Sequence, residues 1–429
     1  MIDSRSARLW ALALLTAFLA ACDPAGTTPS NGGKHLHVIG TWIGDEQAAF
    51  LAMVKPWETR SGNKVDYEPS RDLDSLLAAR LQAGEAPDLA GLSGPGQMAD
   101  LARAGKLVDL GNVLDMNRMA SQYGPGWVRL GTVNRKLVGV FVKASINGLI
   151  FYDPSAIASA GLDFTNPPKT WGELAADADR IVSTTQTTPW CIGVESGAAS
   201  GWPGADWIKD FFLREAGPAT YEKWSLGQEP WTSPEMKRAW QSFGAIVNSA
   251  SLAYGGKSYV LDTNFATAFE PMFQSPPGCY LHRQDQLLTQ SIRNARPVSK
   301  VNAFGFPDVG TQYLGAQVVG GDLLGMFTDS PEARDLINYL TTGEAQQILV
   351  KRGGAVSPNK AVGLDAYPDP ILRRAAALLA AANPPEFDVA LLQSRSLQAA
   401  FASGVVAYIR NPGSLDAILN DLEKKRKNG

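Results

Sequence analysis

Leu137-Val138-Gly139-Val140-Phe141-Val142, the polar segment Lys143 to Gly148, then Leu149-Ile150-Phe151-Tyr152 and Asp153-Pro154: this stretch decides the fold. Two apolar runs of strand length flank a polar gap too short to hold a helix. Pro154 ends the second run, because proline offers no N–H to a strand ladder and fixes its own φ. Buried strands this close, with no crossover helix between them, read as a chain passing from one sheet to another. The segment is therefore a hinge candidate. Beyond it Ser155 to Gly161 reads as a short helix, and Thr170 with Glu173 three residues later is a capping box that starts another.

Working back towards the N-terminus, strand and helix alternate. Leu36, Val38 and Ile39 mark a first strand; Phe50, Val54 and Trp57 fall on one helical face, with Pro56 expected to kink or shorten that helix. Gly62 ends it, Val65 to Tyr67 is a second strand, and Leu73, Leu76, Leu77 and Leu81 form a helix stopped by Gly84. Pro87 to Ala90 enters a third strand and Met98 to Arg103 a third helix. This alternation predicts a parallel sheet with helices on its faces. Ligands of such sheets bind beyond the carboxyl ends of the strands, which puts the loops 41–46, 69–72 and 92–96 at one rim. Trp42, Asp45, Glu46, Arg71 and Asp72 are the candidate ligand contacts there.

With 429 residues the chain is too long for one ordinary core, so two domains are expected. A formal charge of −3 lacks the basic excess of a nucleic-acid binder. The basic run 424–427 fits the C-terminal end of a last helix, where cations complement the dipole. At the other end Arg5 and Arg8 precede the apolar run Leu9 to Phe18, a pattern of export signals too short to span a bilayer. Leu19-Ala20-Ala21-Cys22 resembles a bacterial lipobox, which implies cleavage before Cys22 and lipidation of its thiol. Residues 23–33, rich in Pro, Gly, Thr and Ser, read as a flexible tether. The two other cysteines, Cys191 and Cys279, suit a disulfide in an exported chain, the alternative being two buried free thiols.

Seven of the eleven tryptophans fall between Trp171 and Trp240. Trp240 shares a helical face with Phe243 and Val247, behind Ser233 as N-cap and Pro234, and reads as core. Trp202 and Trp207 sit in Ser200-Gly201-Trp202-Pro203-Gly204-Ala205-Asp206-Trp207, a segment that reads as a loop. Sugars present apolar C–H faces and a rim of hydroxyls, so a sugar site needs flat aromatic platforms with polar side chains around them. Trp202 and Trp207 are candidates for such platforms.

The hinge stretch, the motif Trp190 to Gly197, Gly201 to Trp207, Pro276 to Arg283, Gly320-Gly321-Asp322, Ser330 to Arg334 and Gly353 to Lys360 together resemble the bacterial extracellular solute-binding proteins of ABC importers, in the branch that handles α-glucosides and related sugars. The resemblance covers nearly the whole mature chain. It implies an α/β, two-lobed periplasmic-binding-protein fold, each lobe a mainly parallel sheet flanked by helices. One lobe would comprise 34–147 plus 301–350, the other 148–300 plus 351–429. It adds Arg283, and Asp322 in a glycine-rich turn bordering the cleft, to the candidate contacts. The implied function is capture of a sugar or oligosaccharide by hinge closure and its delivery to the permease subunits of an ABC importer, by a lipid-anchored monomer outside the cytoplasmic membrane. No cofactor is expected.

Other chemistries find little support. Gly193-Val194-Glu195-Ser196-Gly197 has its serine in the fourth place, so it is not a nucleophile elbow. His35 and His37 alternate along a strand, but two ligands make a weak metal site, and no metal is expected. A phosphate-cradling or dinucleotide glycine motif is absent from the sequence. The alternatives kept open are an exported glycoside-acting enzyme, whose paired carboxylates need not be close in sequence, and a receptor for a non-sugar solute such as iron or a polyamine.

Overall fold

The computed structural model describes residues 33–70, 72–92, 94–286, 289, 300–353, 355–382, 385–388 and 393–428. Cys22 and Arg71 lie outside the described residues. The strands are β1 (His35–Gly40), β2 (Lys64–Pro69), β3 (Leu89–Leu92), β4 (Thr132–Val133), β5 (Lys136–Leu137), β6 (Val140–Ile146), β7 (Leu149–Tyr152), β8 (Leu281–Gln284), β9 (Asn302–Gly305), β10 (Gln317–Met326) and β11 (Pro385–Phe387).

The hinge reading holds. β6 belongs to a six-stranded sheet of order β11-β10-β3-β1-β2, in which it pairs with β10. β7, two residues on, is the centre of a separate three-stranded sheet, β8-β7-β9. Around the first sheet one apolar core runs from Leu36 to Phe151, takes in Phe269, Val301 and Ala303, and continues from Val319 to Phe387. Around the second, another holds Ile150, Trp190, Trp207, Trp224, Trp231, Trp240 and, from the last helices, Phe401 and Leu419. The molecule is two-lobed. Residues 355–387, expected in the second lobe, contribute Val356, Tyr367, Ile371 and Phe387 to the first core, whereas β9, expected in the first, pairs with β7.

β1 pairs in parallel with β2 and β3, as the helix crossovers require. Elsewhere the sheets depart from the mainly parallel expectation: β10 is antiparallel to β3 and β6, and β7 is antiparallel to β8 and β9. Topology accounts for two of these pairings. The chain leaves the first lobe along β6 into β7 and returns along β9 into β10, so the outgoing and returning strands run in opposite directions. Gly320 and Gly321, expected in a turn, lie inside β10 beside β6. A Cβ on Gly321 would stand 2.6 Å from the Lys143 carbonyl oxygen, so only glycine permits this approach.

Most helix signals act as read. Thr170 and Glu173 close a capping box on the helix Trp171–Thr185, and Gly62 (φ 74°) and Gly84 (φ 76°) supply left-handed C-caps. Pro56 does not shorten its helix, which runs Asp45–Ser61 through it. Cys191 and Cys279 form a disulfide with Cα atoms 5.4 Å apart. Among the described residues no helix is long and apolar enough to cross a membrane.

Candidate ligand-binding site

The segment Gly201 to Trp207 is not a loop. A helix, Trp202–Ala216, begins at Trp202 with Pro203 in its first turn. Proline suits that place because its missing N–H would lack an intrahelical partner anyway. At 100° per residue, Trp202 and Trp207 point about 140° apart. Their fates differ accordingly. Trp207 is 2% exposed in the second core, its ring edge-on to Trp190 at 4.9 Å and to Phe306 at 5.7 Å. It packs inside that core and lines no part of the cavity beside Trp202, where the sequence reading expects a ligand contact. Trp202 is half-buried and, with Ala205, Asp206 and Lys209 at i+3, i+4 and i+7, forms one wall of a cavity of about 750 Å³. That volume lies within the range of small-molecule sites.

The other walls come from several elements. Asn147 follows β6, Gln284 ends β8, and Asp388 follows β11. A second helix, Arg395–Arg410, presents Arg395, Gln398 and Ala402 at i, i+3 and i+7, with Phe401 beside them. Phe265 closes the aromatic side, edge-on to Trp202 at 4.8 Å.

Beneath these walls lies a line of buried charges. Lys209 Nζ is 2.5 Å from Asp206 Oδ1 and donates to Asp388 at 2.7 Å, and Asn147 Nδ2 donates to Asp388 Oδ2 at 2.7 Å. Arg283 reaches Asp206 at 3.3 Å and Asp210 at 2.5 Å, and Arg214 reaches Asp210 at 3.0 Å. Three cations thus face three carboxylates, and no sign of charge is in excess. Burial works against the Lys209 ammonium, but Asp206 and Asp388 outweigh it and raise its pKa. Burial likewise pushes the Asp206 carboxyl up, with Lys209 and Arg283 opposing. What the cavity offers a guest is an aromatic wall with three carboxylates, Asp206, Asp285 and Asp388, and two cations, Lys209 and Arg395.

Comparison with known proteins agrees with this architecture. Residues 41–347 match the family described as bacterial extracellular solute-binding protein. The chain belongs to that family. Among family relatives it is 34% identical over 409 residues to the osmoprotective compounds-binding protein GgtB of Synechocystis, covering 95% of this chain and 96% of that one. It is 32% identical over 395 residues to the alpha-glucosides-binding periplasmic protein AglE of Rhizobium meliloti, covering 90% and 85%. Solved structures share the fold: the bacterial solute receptor AcbH at TM-score 0.79 and 16% identity, covering 92% of this chain and 98% of that one, and a cyclic alpha-maltosyl-1,6-maltose binding protein from Arthrobacter globiformis at TM-score 0.73 and 21% identity, covering 93% and 100%. The members of this family are binding proteins.

In this family member the remaining candidates fall into two groups. Trp42, Asp45 and Glu46 line a second cavity, of about 490 Å³, together with Lys143. Trp42 Nε1 donates to Asp322 Oδ2 at 2.7 Å, and Lys143 Nζ lies 2.6 Å from Glu46 and 3.3 Å from Asp322. Trp42 is only 7% exposed, its ring packed against Phe50 and Tyr67. Asp72 lines neither cavity; it is the N-cap of the helix Leu73–Ala83, accepting from the Ser75 N–H at 3.4 Å. Arg283 is 3% exposed and acts on the first cavity through Asp206 rather than from its wall.

Sequence reasoning missed Asp206, Lys209, Asp388, Asn147, Phe265, Arg395, Gln398 and Phe401. One signal was available for two of them. Read as a helix from Pro203, the 201–207 segment puts Asp206 and Lys209 on the face of Trp202. His35 and His37 each meet a carboxylate, Asp66 at 2.9 Å and Glu68 at 2.8 Å, and among the described residues no group of three or more His, Cys, Asp or Glu could hold a metal ion.

Proposed function

We propose that this chain is the substrate-binding component of an ABC importer and that it captures an uncharged polyhydroxylated solute, a sugar, glucoside or sugar-like osmoprotectant, in the 750 Å³ cavity. The observation that carries the reading is the pairing of the Trp202 wall with a buried array in which every cation meets a carboxylate. An aromatic ring packs against the C–H face of a pyranose, and fixed, charge-neutral donors and acceptors match hydroxyls. A ferric ion would call for a cluster of ligating groups, and among the described residues no group of three or more His, Cys, Asp or Glu could hold a metal ion. An enzyme is disfavoured because Asp206 and Asp388 share one ammonium, the arrangement of a structural ion pair. The osmoprotectant and α-glucoside ligands in the names of the two relatives support the same solute class.

Capture proceeds by hinge closure about the crossings near residues 147–148 and 306–316, which we take as lobe boundaries together with the end of the first sheet at Asp388. Ligand shifts the open–closed equilibrium by its differential affinity for the closed state. The closed form is read by the membrane subunits of the permease, with Cys22 carrying the lipid anchor of a monomer. Calorimetric titration with maltose, trehalose, galactose, glycine betaine, putrescine and ferric citrate tests the reading. Binding of a neutral sugar alone is expected. Binding of putrescine or ferric citrate, with no response to any sugar, would overturn it.

A further inference from the structure

The mouth of the cavity carries a contact between the lobes that the binding reading does not use. Arg395 lines the cavity from the start of the helix Arg395–Arg410, whose Leu397, Phe401 and Val405 belong to the second core. Its Nη2 donates to Asp74 Oδ2 at 2.7 Å. Asp74 sits on the helix Leu73–Ala83, anchored by Leu73 and Leu77 in the first core. Gln97, from the helix Pro95–Arg103, donates to the other Asp74 oxygen at 2.8 Å and aims the carboxylate across the gap. One residue of the cavity wall is thus tied to the opposite lobe.

We propose that Asp74 and Arg395 form a clasp that holds the lobes together over the bound solute, with Arg395 as the positioning residue that connects occupancy to closure. The proposal rests on the 750 Å³ cavity being the ligand site. Its geometry suits a reversible catch. The Arg395 side chain is 85% exposed and that of Asp74 37%, so water screens the pair and keeps it weak enough to open in each transport cycle. The clasp biases the open–closed ratio only a few-fold, on the order of two- to five-fold, and leaves ligand to supply the rest. The guanidinium has five N–H donors, so the bond to Asp74 leaves others for a hydroxyl in the cavity.

The test is the solution shape of the ligand-free protein, which does not depend on which solute it carries. Small-angle scattering of the wild type, D74R, R395D and the double reversal D74R/R395D would be compared, with circular dichroism to check that each is folded. Each single reversal sets like charges against each other and is expected to enlarge the radius of gyration; the double reversal restores the wild-type value. High salt should move the wild type towards the single variants. Single reversals that leave the radius unchanged, or an expansion that the double reversal does not undo, would overturn the clasp. Failure to bind any sugar, with the scattering pattern as expected, would instead count against the ligand reading.

Discussion

Lys209 reaches from the second core to Asp388, a residue that directly follows the last strand of the first sheet, and donates to both of its carboxylate oxygens at 2.7 and 2.8 Å. The same ammonium meets Asp206 one helical turn away on its own helix, so one buried cation bridges two carboxylates from different lobes, with Arg283 also on Asp206. Its side chain is only 4% exposed. Removing one partner of a buried ion pair leaves uncompensated charge and costs about 3–5 kcal/mol. Lys209→Met is therefore expected to lose about that much stability in urea titrations, and the triple variant D206N/K209M/D388N to recover a large part of it. A triple variant no more stable than K209M would show that the pairing is not what stabilises the junction.

The two tryptophans of the helix Trp202–Ala216 separate binding from stability. Trp202 stands at the cavity wall, and Trp207 packs against Trp190, Phe211 and Phe306. Trp202→Ala is expected to weaken binding of the sugar identified by titration by about tenfold or more, with little change in melting temperature, because it removes a stacking surface and little core. Trp207→Ala is expected to destabilise by about 3–5 kcal/mol, as truncation of a buried aromatic does. Parallel calorimetry and thermal melts check both. Unchanged affinity in W202A removes the stacking platform from the site.

How far the sequence reaches is visible in these residues. The hinge stretch from Leu137 to Pro154, the alternation of the first sheet and the capping box at Thr170 are local signals, and they pointed to the two-lobed fold together with the family resemblance. The site is harder because its walls converge from residues as far apart as Asn147, Lys209 and Asp388, which share a network only after three crossings between lobes. Trp202 was legible as a cavity aromatic, yet Trp207 was grouped with it. Glycines and proline at 201, 203 and 204 suggested a loop, whereas Pro203 lies in the first turn of a helix and turns the second ring inward. Arg283 was legible as an important cation, but only burial reveals that its partners are Asp206 and Asp210.

The Cys191–Cys279 bridge joins residues 88 apart and is buried beside Met272. In the chain-entropy account, closing a loop of that length removes freedom from the unfolded chain equivalent to about 4–5 kcal/mol. The double variant C191A/C279A is expected to lose about that much in urea titrations. Reductant should lower the midpoint of the wild type only once unfolding exposes the sulfurs, and should leave the double variant unaffected. An equal response of both proteins to reductant would mean that the bridge contributes nothing.

Stability between pH 4.5 and 7 is shaped by two buried groups that pull in opposite directions. Burial, with Glu222 nearby, pushes the Glu386 carboxyl from 4.5 up to about 7 despite the Arg129 guanidinium. Between those values the folded state holds a proton that the unfolded chain has released, so the contribution of Glu386 is full below pH 4.5 and is lost as pH rises towards 7. His282 behaves in the opposite sense. Burial, with Arg283 adding to it, lowers its imidazole from 6.5 to about 4, against the bond its Nδ1 makes to the Cys191 carbonyl at 2.8 Å. Here the unfolded chain binds the extra proton, so stability is lost as pH falls from 6.5 towards 4. The two slopes largely offset one another over their shared window. Glu386→Gln should unmask a rise in melting temperature with pH between 4.5 and 6.5 relative to wild type, and His282→Gln a fall. Melting curves of the three proteins, taken every half unit of pH, check the sign of each. Variants whose curves run parallel to wild type would show that neither group titrates differently in the folded and unfolded chain.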